Sequence, residues 1–197
     1  MGVVADYLAV RTSEAEALLE QLGVGHSGQT GDWSGAYYAG RAFETGWYVL
    51  VIQRRIFDAD RDLPALAEGR EIVHVYVDDV VMHSTAALLK DGQVVWRVTS
   101  DADEGYSEEG EPPAGLAPIL AELRRNEAEQ DPDEPQVDYV FDAPIEAAAL
   151  VTGFRGLADT HDPALGAGFE WLEPPAKPPR VGLFTALAQL FGLGRKG

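Results

Sequence analysis

Residues Ser84 to Thr99 read Ser-Thr-Ala-Ala-Leu-Leu-Lys-Asp-Gly-Gln-Val-Val-Trp-Arg-Val-Thr. Two runs that favour extended backbone flank Asp91-Gly92, and such a pair supplies the positive φ that a two-residue hairpin turn demands. The stretch predicts antiparallel neighbours, 84–89 against 93–99. On the second arm Val94, Trp96 and Val98 alternate with Val95, Arg97 and Thr99, which places Trp96 in a core and Arg97 near the acidic residues that follow. Upstream, Ile72, His74 and Tyr76 alternate with Val73, Val75 and Val77, a strand with one strongly apolar side.

Working outward, Val3–Val10 and Trp47–Gln53 carry the β-branched and aromatic composition of strands. A helix runs from a cap at Thr12 or Ser13 through Leu22. Ser13 with Glu16 fits a capping box, Ala15, Leu18, Leu19 and Leu22 form one apolar stripe, and Gly23 stops it. Ile56–Glu68 reads as a short helix with Pro64 in its first turn, and Leu116–Ala128 as a longer one. Val137–Phe141 reads as a short strand or extended entry, and Pro144 opens a helix that Gly153 ends. The seven glycines of residues 23–46 point to loop.

Strands and helices mix without βαβ regularity, which favours α+β over a doubly wound sheet. The expected fold is a mixed, largely antiparallel sheet with a central hairpin (about 84–99) packed by three or four helices. Residues 1–173 form the expected domain, 174–180 a proline-rich linker, and 181–197 an amphipathic C-terminal helix. In that helix Leu183, Phe184, Leu187, Leu190 and Phe191 recur at helical spacing. Its stripe has three possible seats: the parent domain, a partner's groove, or a second copy in a homo-oligomer.

The 197 residues are 46% hydrophobic and 24% charged, ordinary for a globular chain. They carry 33 acidic against 15 basic side chains, net −18, and more than half of that excess falls within 101–135. Such a charge repels phosphate backbones and anionic headgroups, so nucleic acid is not an expected partner. The absence of cysteine excludes disulfides, thiolate nucleophiles and thiolate-held metals. The start, Met-Gly-Val-Val-Ala-Asp, has no basic region ahead of an apolar run, and no apolar run is long enough to span a bilayer; a cytoplasmic location is expected.

Few motifs survive inspection. Gly23-Val24-Gly25-His26-Ser27-Gly28 matches the dinucleotide glycine pattern, but a helix precedes it where a strand should. Ser27 and Ser34 each sit in an imperfect nucleophile elbow with no strand expected before it. Asp58, Asp60 and Asp62 alternate as in a calcium loop, yet Leu63 stands where glycine is required, and the stretch from Asp101 also fails at its twelfth place. The histidines at 26, 74, 83 and 161 form no ligand pair. His74 and Asp78 share a face, with Asp79 and His83 just beyond. His161 lies between Asp159 and Asp162 in a loop composition.

No motif calls for a cofactor or a metal. The sequence therefore reads as an acidic, non-catalytic binding protein, of the type of an inhibitor or immunity protein that engages a basic protein surface. Glu108, Glu109 and Glu111 would steer the partner, while Tyr106, Trp33 and Tyr37 would offer apolar anchors. The competing reading is a hydrolase or metal-dependent enzyme built on His74, Asp78, Asp79 and His83, or on Ser27.

Overall fold

The computed structural model describes residues 4–58, 60–131, 133, 137–155 and 168–175. The linker from residue 176, the C-terminal helix expected at 181–197 and His161 lie outside them. The strands are β1 (Val4–Arg11), β2 (Gly25–Gly31), β3 (Tyr38–Ala42), β4 (Trp47–Ile52), β5 (Glu71–Asp78), β6 (His83–Lys90), β7 (Gln93–Asp101), β8 (Gly105–Gly110) and β9 (Phe169–Glu173). They form one nine-stranded sheet in the order β2-β9-β3-β4-β1-β5-β6-β7-β8. Every pairing is antiparallel. The helices are α1 (Ala15–Leu22), α2 (Leu63–Leu66), α3 (Leu116–Ala128) and α4 (Ala143–Thr152). The fold is α+β.

The β6–β7 hairpin turns through Asp91 at φ 49° and Gly92 at φ 77°, the left-handed pair that matches strand twist. It lies toward one end of the sheet, and the N-terminal strand β1 takes the centre expected for it. A bulge between the Leu88–Trp96 and Leu89–Val94 pairs leaves Val95 unmatched and turned outward. Trp96 and Val98 thus face one side of the sheet and Val94 the other.

On the first face, Tyr7, Val73, Val75, Val77, Ala86, Trp96 and Val98 pack beneath Ile145, Ala147 and Ala148 of α4. Helix α3 packs in turn on α4. On the second face, Leu8, Val10, Leu50, Ile52, Ile72 and Leu89 meet Leu18, Leu19 and Leu22 of α1 and Leu63 and Leu66 of α2. Each such side chain contributes about 2 kcal/mol by leaving water. All of Ile72–Val77 is buried, so the expected one-sided β5 is enclosed on both faces.

Other expectations change for local reasons. The Ser13–Glu16 capping box does not form: a 3-10 turn at Thr12–Glu14 precedes α1, no side chain caps it, and Glu16 reaches His26 instead. The stop at Gly23 does form, at φ 69°. The helix expected over 56–68 shrinks to α2, because Asp58 accepts from the Asp60 and Arg61 amides and Asp62 from the Asp58 amide, holding the chain in side-chain turns. At 137–141 the expected strand gives way to a 3-10 turn, Val140–Asp142, closed by the Phe141 amide on Asp138. The glycine-rich loop expected at 23–46 contains β2 and β3, and the acidic stretch after Asp101 contains β8.

Candidate functional site

Side chains two apart on a strand share a face, and on the second face this period changes character along β5, β6 and β7. Beneath α1 and α2 it presents Ile72, Leu89 and Val94. Farther along it presents His74, Tyr76 and Asp78 on β5, Thr85 and His83 on β6, and Arg97, Thr99 and Asp101 on β7, all in register. This polar end opens into a cleft bordered by Arg55, Phe57 and Asp60.

Under the floor, behind His74, lies Asp6, fully buried on β1. One carboxylate oxygen stands 2.9 Å from His74 Nε2, while the other accepts from the backbone amides of Ile56 (2.6 Å) and Phe57 (3.3 Å). A buried carboxylate is tolerable only with such partners. The same group therefore orients His74, itself 2% exposed, and pins the chain that carries Arg55. Asp6 engages the ring at Nε2, and Nδ1 hydrogen-bonds to no other described residue.

Two cavities adjoin above the floor, an inner one of about 180 Å³ and an outer one of about 340 Å³, both bordered by Arg55, Tyr76 and His83. His74, Thr85, Thr99, Arg97 and Asp60 complete the polar lining of the inner one. Asp78, Asp101 and Asp103 line the outer one. The Arg55 guanidinium stacks 4.7 Å from the Tyr76 ring centroid and makes no ion pair with a described residue. Arg97 approaches Asp60 at 3.2 Å and Glu109 at 3.8 Å. The Thr85 and Thr99 hydroxyls bond each other at 3.0 Å.

Two groups here titrate away from their ordinary values. The Tyr76 hydroxyl, donated to Asp78 at 3.0 Å, is pushed up by desolvation and then by that carboxylate, with Arg55 opposing. Asp101 is held down at about 2, first by His83 Nδ1 at 2.8 Å and then by the Asp103 and Glu104 amides.

Beyond the cleft the sheet ends at β8. Glu108, Glu109 and Glu111 are exposed, and Tyr106 is half-buried between the Arg124 guanidinium, 5.3 Å from its ring, and the Glu108 carboxylate that accepts from its hydroxyl. Burial first and Glu108 second push that hydroxyl's pKa up. The other anticipated anchors lie elsewhere: Trp33 is 6% exposed in the core, and Tyr37, 63% exposed, precedes β3 toward the opposite end.

The anticipated cluster of His74, Asp78, Asp79 and His83 separates into pairs, with His74 on Asp6, Asp78 on Tyr76 and His83 on Asp101, and with Asp79 after β5. Among the described residues, no group of three or more His, Asp or Glu side chains could hold a metal ion. Ser27 lies on β2, where it donates to the Trp171 carbonyl and accepts from the Gln29 amide, while the neighbouring His26 is held by Glu16 (3.2 Å) and Glu170 (3.0 Å). Ser34 donates to Asp32 at 2.6 Å. Among the described residues no hydroxyl hydrogen-bonds to an imidazole.

Asp6 and Arg55 were not among the residues singled out from the sequence. A signal existed for Asp6: an acid inside the apolar run Val3–Val10 must find a partner. No family model, curated protein or solved structure matches the chain. Among the described residues no helix is long and apolar enough to cross a membrane.

Proposed function

We propose that the chain is a non-catalytic binding protein, of the inhibitor or immunity type, which captures a basic partner by adding one of the partner's strands to β8. The observation that carries this reading is the form of that edge. Strand β8 pairs with β7 over six consecutive residues without a bulge, and no described residue pairs with its other side. A regular open edge is a template for another strand. Charge decides which strand is admitted. Glu104, Glu108, Glu109 and Glu111 surround the edge, and Asp101 and Asp103 form the turn before it. They repel acidic edges and draw in cationic ones, mainly by raising the association rate.

The reading is tested with two labelled peptides, one alternating Lys and Val, the other Glu and Val. The Lys-Val peptide is expected to bind, to weaken steeply between about 50 and 200 mM salt, and to lose its advantage over the Glu-Val peptide in the Glu108→Gln/Glu109→Gln/Glu111→Gln variant. Equal binding of the two peptides to the unaltered chain would overturn the reading.

A further inference from the structure

The cleft over Asp6 has a polarity of its own. Its inner cavity sets two guanidiniums, Arg55 and Arg97, against one carboxylate, Asp60, which already pairs with Arg97. Its outer cavity sets Arg55 against Asp78, Asp101 and Asp103. The Arg55 guanidinium has no ion pair to a described residue and lies on the Tyr76 ring, bordering both cavities. The positive pole is built in: the buried Asp6 ties down the Ile56 and Phe57 amides next to Arg55 and turns His74 toward the same cavity.

We infer that this cleft binds a small zwitterion of the amino-acid class, with its carboxylate inward against Arg55 and its ammonium outward among Asp78, Asp101 and Asp103. A guanidinium matches a carboxylate in shape and charge. Asp101 stays ionised down to about pH 2, so the outer pole keeps its sign across the neutral range. The outer cavity, about 340 Å³, falls within the size range of small-ligand sites. The site shares Asp101 and Asp103 with the surroundings of β8 but needs no strand added there.

The experiment is amide NMR of the full chain, adding the common amino acids one at a time at about 10 mM, enough to fill a site with a Kd of about 1 mM or tighter. At least one should shift the amides of Arg55, Tyr76, His83 and Thr99 saturably. Its des-amino acid and its decarboxylated amine should each bind at least about tenfold more weakly. Arg55→Gln should weaken the amino acid and the des-amino acid together, and Asp103→Asn should weaken the amino acid alone; both positions are exposed, so both variants should stay folded. No saturable shift in the cleft with any amino acid overturns the inference, as does equal binding of the des-amino acid, which would mean a plain anion site.

Discussion

The sheet ends differently on its two sides. At the β2 end the edge strand is short of regularity: its register with β9 slips between His26 and Gln29, and Ser27 spends its hydroxyl on the Trp171 carbonyl. Such an edge is blunted by its own backbone. At the β8 end the ladder is unbroken, and the edge carries exposed carboxylates, of which Glu109 has Arg97 at 3.8 Å. A bulge refuses every partner, whereas a charge refuses only some. The sheet's second face is divided along its strands, apolar beneath α1 and α2 and polar and open at the other end of β5, β6 and β7.

The comparison can be broken first at the boundary between the two halves. Asp6→Ala removes the carboxylate that serves His74, Ile56 and Phe57; it should cost about 3–5 kcal/mol in urea unfolding. Leu50→Ala, on the covered half, should cost about 2–5 kcal/mol, whereas Thr99→Ala, in the open cleft, should stay below about 1.5 kcal/mol. Equal losses at Leu50 and Thr99 would erase the distinction between the halves. The Glu108→Gln/Glu109→Gln/Glu111→Gln variant should leave stability within about 0.5 kcal/mol while slowing association with the Lys-Val peptide about tenfold at low salt.

The smallest effects concern pH, and they run in opposite directions at the two ends. His26, half-exposed between Glu170 and Glu16, has its pKa raised by those carboxylates, Glu170 foremost. Its contribution is complete below the ordinary histidine value of about 6.5 and lost as pH rises through the raised one. Exposure keeps it under about 1 kcal/mol, and His26→Gln should abolish that dependence. Asp101, depressed to about 2, contributes above the ordinary carboxylate value of about 3.9 and loses its contribution as pH falls through about 2. Asp101→Asn should flatten the acid limb of the stability curve.

What the sequence made legible follows the range of the forces involved. The Asp91-Gly92 turn, the stop at Gly23, α3, and α4 with its Pro144 start are each set by residues within one turn of chain, and all appear as read. Strand β2 was hidden because Gly31 and the nearby Gly35 leave room for the ring of Trp171, a residue far along the chain on a strand that pairs with β2. Strand β8 was hidden because Gly, Ser and Glu are poor strand formers; its shape comes from the β7 ladder. His74 was visible as a polar residue in an apolar strand, but its partner on β1 became evident only from the pairing of β1 with β5.

Residue-resolved amide exchange with the Lys-Val peptide bound tests the β8 reading most directly. Slowed exchange at alternate amides of residues 105–110, with β2 unchanged, is the predicted result. Protection at β2 instead, or a bound peptide that leaves every β8 amide exchanging as before, would contradict it.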